Sequence, residues 1–121
     1  MNSKSNFADE LKKRTKKFAI DSVYHFRKLP KTDEARIIGK QFLRSATSVA
    51  ANYRAVCRAR SDAEFYSKLC IVVEEIDESV LWLEIMEEAG IATSGSLYKE
   101  ADELMRILSV SKSTVSNNLK S

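Results

Sequence analysis

Apolar residues recur every three or four positions along most of the chain, the spacing that gathers them on one side of an α-helix. The pattern breaks three times, so it predicts four helices, at about residues 6–29, 32–59, 61–89 and 95–116. Weak helix formers are frequent from Ser109 onward, and we expect the last helix to fray there. Four amphipathic helices of this length predict a single all-α domain over residues 1–121.

The helix boundaries carry recognisable stop and start signals. Pro30 ends the first helix, and Thr32 is a candidate N-cap for the second. Ser61 and Glu64 form a capping box that begins the third helix, and Gly90 suits a left-handed residue that closes it. Because the connections are short, successive helices run antiparallel, and the predicted architecture is an up-down-up-down four-helix bundle.

Composition excludes several classes of protein. Only 3 Gly and 1 Pro are present, which leaves little material for a turn-rich β fold. The longest apolar run, at residues 69–73, is far shorter than the roughly 20 residues that span a bilayer, and the polar first 17 residues contain no signal-type apolar stretch. We therefore expect a cytoplasmic protein with no membrane partner, in which Cys57 and Cys70 are reduced packing residues.

Charge is distributed unevenly along the chain. The net charge is only +3, but residues 1–60 hold 15 Lys and Arg against 5 Asp and Glu, whereas residues 61–121 hold 5 against 12. Two arrangements fit this asymmetry. Either the halves neutralise each other within the bundle or an oligomer, or the basic half stays free to bind phosphate.

The basic excess is concentrated on the first helix, where Lys12 repels Lys16 and Lys13 repels Lys17 at a spacing of four residues. A nucleic-acid backbone could offset that repulsion, because cationic side chains that bind phosphates release condensed counterions. The candidate nucleic-acid-binding residues are Lys12, Lys13, Lys16, Lys17, Arg54, Arg58 and Arg60. A plain solvated face explains the same residues, and no aromatic side chains interleave with them for base stacking.

Complementary charges are also expected between the second and third helices. A turn near residues 60–61 places Arg44 opposite Glu78, so we predict an ion pair there, or with Glu74 or Glu75 one turn away. Such a pair fixes the register of the two helices.

A line of small polar residues follows one face of the second helix. Gln41, Ser45, Ser48 and Asn52 are spaced four, three and four, and they permit close approach of another helix. That neighbour is either part of the same bundle or a second subunit. The candidate fold and assembly residues are therefore Gln41, Arg44, Ser48, Asn52, Glu74 and Glu78.

No catalytic, metal or cofactor site can be assembled from the residue types present. The carboxylates at 74, 75, 77 and 78 lack the Glu-x-x-His pairs of a di-iron bundle. His25, the one histidine, has no nucleophile set beside it and is expected on a helix surface. We expect a non-enzymatic protein without a cofactor or a small-molecule substrate.

Residues 41–83 are similar to a known family. They contain Q-x-x-R-S-A-x-S-V-A-A-N, then R-S-x-x-E-F-x-x-K-L, then E-E-x-D-E-S-V-x-W-L. These motifs resemble the four-helix bundle proteins encoded by intervening sequences in bacterial 23S rRNA genes, which are related to the accessory proteins of diversity-generating retroelements. The resemblance implies a homo-oligomeric ring, a pentamer, that acts beside nucleic acid; in the retroelements a basic pentamer contacts a reverse transcriptase.

The chain also departs from the family pattern. At residues 52–56 it reads Asn-Tyr-Arg-Ala-Val where many members read Asn-Ile-Ala-Glu-Gly, which marks a divergent branch and predicts that the second helix continues further here. We expect a homo-oligomer that binds RNA or DNA backbone, or a ribonucleoprotein, without sequence preference. The alternative is a scaffold or adaptor that assembles with a protein partner and no nucleic acid.

Overall fold

The computed structural model describes residues 3–120, with side chains from residue 6 onward. Four α-helices follow one another along the chain: α1 (Ser3–Arg27), α2 (Asp33–Val56), α3 (Asp62–Glu88) and α4 (Ser96–Lys120). Each helix packs against its neighbour in sequence, and α4 closes the ring against α1. The predicted all-α, up-down-up-down bundle is confirmed. The single domain predicted over residues 1–121 includes residues 1, 2 and 121, which lie outside the described residues.

The start of α2 and the start of α3 are both capped by a side chain. The Thr32 hydroxyl accepts a hydrogen bond from the Ala35 N–H at 3.3 Å, and the Ser61 hydroxyl accepts one from the Glu64 N–H at 3.1 Å. Only this half of the predicted capping box is formed. The Glu64 carboxylate lies instead 3.7 Å from Nε of Arg60.

Helix α2 is shorter than predicted. It ends at Val56, because the N–H groups of Arg58 and Ala59 bond three residues back, to the carbonyls of Ala55 and Val56, and these turns lead directly into α3. The helix therefore ends before residue 59, the predicted end, and the expectation that it continues further than in the common branch of the family stays a prediction. Helix α3 ends as predicted, with Gly90 at a φ of 72°.

Helix α4 is longer than predicted. It continues to Lys120, through the segment from Ser109 onward in which fraying was expected. Val115 packs against the core, and the Ser111 hydroxyl donates to the Ile107 carbonyl at 3.0 Å. Packing against the bundle thus supports a segment whose intrinsic helix propensity is weak.

The core runs the length of the bundle, and its largest fully buried side chains include Phe18, Phe42, Leu69, Leu83 and Leu108. Phe18 and Phe42 join α1 to α2 edge to face, with ring centroids 6.4 Å apart. None of the helices within residues 3–120 is long and apolar enough to cross a membrane.

An open cavity of about 920 Å³ lies at the pole of the bundle where α1 begins and α4 ends. Apolar and aromatic residues of all four helices line it, among them Phe7, Tyr53, Phe65 and Leu119. Phe7 is 50% exposed there. We call this cavity the end cavity.

Candidate nucleic-acid interface

Three of the candidate lysines lie on the first half of α1, and two of the candidate arginines lie at the end of α2, Arg54 in its last turn and Arg58 in the turn after Val56. The two helices are antiparallel, so the first turns of α1 lie beside the last turns of α2. Lys12 of α1 lines the end cavity together with Cys57, the C-cap of α2. Burial raises the pKa of the Cys57 thiol, and the nearby charge of Lys12 opposes that rise. Lys12 therefore lies close to the end of α2, the region that carries Arg54 and Arg58.

These five cations are at least partly open to solvent, and none has an acidic partner among residues 6–120. Four of them are exposed and Lys12 is half-buried. Within residues 6–120, no carboxylate lies within ion-pair distance of any of the five. The set, which we call the basic face, consists of Lys12, Lys13, Lys16, Arg54 and Arg58.

The other two candidates of the predicted set are engaged elsewhere. Lys17 Nζ lies 2.8 Å from Asp21 Oδ2, and the hydrogen bond to this carboxylate raises the pKa of Lys17. Lys17 also lines a cavity between α1 and α4, on a different side of α1. Arg60 is exposed in the turn between α2 and α3, beside Glu64. The structure does not bring either residue into the basic face.

Part of the charge asymmetry is neutralised inside the bundle. Arg14 Nη2 lies 2.6 Å from Glu100 Oε1 and 3.2 Å from Glu103 Oε1, which ties basic α1 to two carboxylates near the start of α4. Both of the arrangements left open by the sequence are therefore present: some cations of the first half pair with the second half, and the basic face stays free.

The predicted ion pair between α2 and α3 is confirmed. Arg44 Nη2 lies 2.6 Å from Glu78 Oε1, and Arg44 Nη1 lies 3.3 Å from Glu75 Oε2. The same Glu78 oxygen accepts a hydrogen bond from Nε1 of Trp82 at 3.2 Å. The hydrogen bond from Arg44 has the largest effect on the pKa of Glu78 and lowers it. Glu74, the third acidic candidate, is exposed and forms no ion pair with residues 6–120.

The polar line on α2 divides into parts with different surroundings. Ser45 is buried and its hydroxyl lies 2.9 Å from that of Ser79 on α3, so here the small side chain serves packing within the bundle. Asn52 Nδ2 donates to the carbonyl and to the hydroxyl of Ser48, at 2.9 and 2.8 Å. Gln41 is exposed. Only Gln41, Ser48 and Asn52 keep surface that a second subunit could contact.

The acidic residues of α3 do not gather into a metal site. Within the described residues, no three His, Cys, Asp or Glu side chains are arranged to hold a metal ion. Two of the four carboxylates, those of Glu75 and Glu78, are engaged by Arg44. The described part of α3 thus uses its carboxylates for helix pairing.

The prediction that His25 lies on a helix surface is wrong. Its ring packs edge-on against Phe42, with centroids 5.9 Å apart, and its buried Nε2 has no hydrogen-bond partner among residues 6–120. Burial lowers the pKa of His25, and the charge of Lys28 lowers it further. The residue continues the four-and-three spacing of Leu11 and Phe18, a signal that could have placed it inside.

Fold and surface together define a class: a four-helix bundle that leaves a cluster of unpaired cations on one side. The chain belongs to the 23S rRNA-intervening sequence protein family, whose family model matches residues 9–110. It is similar to the crystal structure of a protein of unknown function from the S23 ribosomal protein family of Bacteroides thetaiotaomicron. The two are 28% identical, with a TM-score of 0.80 over 88% of this chain and 97% of that one. No curated protein matches the sequence. The resemblance seen in residues 41–83 is confirmed, and neither matching comparison indicates an enzymatic family.

Proposed function

We propose that this protein binds the phosphate backbone of nucleic acid through the basic face. The observation that carries the proposal is the set of five cations without a carboxylate partner among residues 6–120. Cations held on one surface repel each other, and phosphate groups bound along that surface offset the repulsion and release counterions.

The chemistry of the basic face favours contact with phosphates over contact with bases. Lysine and arginine bind phosphate oxygens regardless of sequence, and the set contains no aromatic side chain on which a base could stack. RNA is the first nucleic acid to test, because the family description refers to 23S rRNA. We expect affinity that depends strongly on salt and weakly on sequence.

Assembly of several copies would add to this binding, since each subunit contributes one basic face to the same strand. The resemblance to the family implies five subunits. Exposed apolar side chains on α2 and α3 support a subunit contact there: Ile37 is 64% exposed, Ile71 41% and Leu81 47%. They share these two helices with the Arg44–Glu78 pair.

A titration of fluorescein-labelled single-stranded RNA, followed by fluorescence anisotropy at several KCl concentrations, tests the proposal. In the triple variant Lys13→Gln, Lys16→Gln and Arg54→Gln, we expect at least about a tenfold loss of affinity at low salt. The slope of log affinity against log salt should fall by about 2, at roughly 0.7 per lost phosphate contact with a single strand.

The matched control removes the same number of positive charges elsewhere. Lys31 in the connection between α1 and α2, Lys40 in the first half of α2 and Lys99 near the start of α4 lie toward the opposite pole, and their change to glutamine lowers the net charge equally. The control should retain most of the affinity and the salt slope. Equal losses in both triple variants, or no binding of the natural protein at low salt, would contradict the proposal.

A second function, that of a protein scaffold, is favoured by the contacts between α2 and α3. The Arg44 network and the exposed apolar residues beside it form a surface suited to protein association without any nucleic acid. In that case, assembly rather than RNA binding should respond to changes at these residues.

Light scattering of Arg44→Ala, Glu78→Ala and the double variant, across salt concentrations, separates the two functions. If the pair supports assembly, each single change lowers the mass in solution, and the double change adds little further loss because the two residues are coupled. Arg36→Ala is the control, since Arg36 pairs only within α2, with Asp33. Loss of mass with RNA binding absent would favour the scaffold.

A further inference from the structure

A second cavity, of about 620 Å³, lies between α1 and α4 at the pole opposite the end cavity. The second half of α1 and the start of α4 line it, with apolar contributions from Phe18 and Leu97. We call it the α1–α4 cavity. It is separate from the basic face, which lies on the first half of α1 and the end of α2.

Two buried polar atoms at this cavity have no partner. Within residues 6–120, the buried side-chain nitrogen and oxygen atoms that lack a hydrogen bond are His25 Nε2 and Ser94 Oγ, and both residues line the α1–α4 cavity. Ser94 is only 9% exposed. A buried hydroxyl without a partner costs free energy, so two unpaired groups at one cavity point to a polar ligand that both contact.

The start of α4 adds further hydrogen-bond donors. The residue before this helix is Gly95, which has no side-chain oxygen to cap the first turn, whereas Thr32 and Ser61 cap α2 and α3. The first N–H groups of a helix have no carbonyl partner within it, and the helix dipole makes this end positive. Ser96, the first residue of α4, lines the cavity.

The charges around the cavity favour an anion. Its two carboxylates already have cationic partners: Asp21 pairs with Lys17 at 2.8 Å, and Glu100 pairs with Arg14 at 2.6 Å. Lys28 also lines the cavity and forms no ion pair with residues 6–120. Its charge acts on His25. The charge of Lys28 and the positive end of the α4 dipole are therefore not neutralised by a carboxylate among residues 6–120.

We propose that the α1–α4 cavity binds a phosphate group. The Ser94 hydroxyl, Nε2 of His25 and the N–H of Ser96 donate hydrogen bonds to the phosphate oxygens, and Lys28 supplies the opposite charge. The N–H of Leu97, the next residue of α4, already donates to the Ser94 carbonyl at 2.9 Å. The ligand is either inorganic phosphate or the 5′-terminal phosphate of an RNA strand, since both present a phosphate group with several free oxygens. The site does not depend on the basic face.

His25 provides the reporter for the test, because it is the only histidine and its imidazole NMR signals need no assignment. Addition of inorganic phosphate at constant ionic strength, with chloride as the replaced anion, should shift these signals in a saturable way. A short RNA with a 5′ phosphate, compared with the same RNA ending in a 5′ hydroxyl, identifies the source. A shift specific to the 5′-phosphorylated strand supports the site and assigns it to strand ends.

Ser94→Ala is the informative variant. It removes a buried unpaired hydroxyl, so without phosphate it should be as stable as the natural protein or more stable, while its phosphate affinity should fall about tenfold. If the Ser94 hydroxyl only stabilised the fold, its removal would lower the stability of the protein and would not weaken phosphate binding selectively. Lys28→Gln should also weaken phosphate binding, and Lys120→Gln, at the other end of α4, should not.

The proposal is overturned if neither inorganic phosphate nor the 5′-phosphorylated RNA shifts the His25 signals, or if chloride shifts them equally. It is also overturned if Ser94→Ala binds phosphate as well as the natural protein does. The triple variant of the basic face distinguishes the two proposals, because it should keep the phosphate response at His25 while losing salt-dependent RNA binding.

Discussion

At the scale of single residues, the polar side chains on the inner side of α1 show how position in the helical repeat sets the environment. Thr15 and Ser22 follow the same four-and-three spacing as Leu11 and Phe18, and both are buried. Each hydroxyl donates to a carbonyl one turn back, at 2.8 and 2.7 Å. His25, the next residue in the series, is left with an unpaired Nε2.

We predict that His25 makes the protein less stable as the pH falls below 6.5. Its pKa is lowered from 6.5 in the fold, so below that pH the unfolded chain binds the proton more readily and unfolding is favoured. The other charged groups lining its cavity are Lys17 and Asp21 of α1, Lys28 in the turn after α1, and Glu100 of α4. Urea denaturation at a series of pH values measures the effect.

The control for this prediction is His25→Phe, which should remove the pH dependence just below 6.5. The effect of Glu78 on stability falls in a lower pH range. The pKa of Glu78 is lowered in the fold, so the stabilisation that its carboxylate provides is lost only as the pH falls below 4.5, the ordinary pKa of a glutamate. An NMR titration that placed the pKa of His25 at or above 6.5 would contradict the prediction.

At the scale of helices, the apolar spacing predicted the number and order of the helices. Capping residues and a glycine located those helix ends at which they occur. Thr32 and Ser61 cap the predicted starts of α2 and α3, and Gly90 follows the predicted end of α3. The ends of α2 and α4 were missed. The end of α2 depends on the connecting turn at Arg58, and the end of α4 depends on the packing of Val115. Intrinsic helix propensity describes neither of these contributions.

A pair of substitutions in the middle of α4 tests whether this helix packs against the core. Leu108 is fully buried, whereas Val110, two residues later, is 66% exposed. Leu108→Ala should lower the free energy of unfolding by about 2–5 kcal/mol, and Val110→Ala by less than about 0.5 kcal/mol. Urea denaturation followed by circular dichroism measures both. Similar losses in the two variants would mean that the middle of α4 does not pack as described.

At the scale of the whole molecule, the sequence showed that charge is uneven but not which charges remain free. Arg14 pairs with Glu100 across 86 positions of sequence, a contact that only the closed ring of helices creates. Lys12, Lys13, Lys16, Arg54 and Arg58 stay open because α2 and α3 place the acidic residues elsewhere. Ser94 lies in a connection without periodicity, so no sequence pattern marked the α1–α4 cavity.

An even number of antiparallel helices brings the start of α1 and the end of α4 to one pole, where Phe7 and Leu119 line the same cavity. A dye attached beside either residue therefore sits beside the basic face and far from His25. Such a label would report the binding of RNA at that pole but not the binding of a small anion at the other pole. The imidazole of His25 is the better probe for the anion.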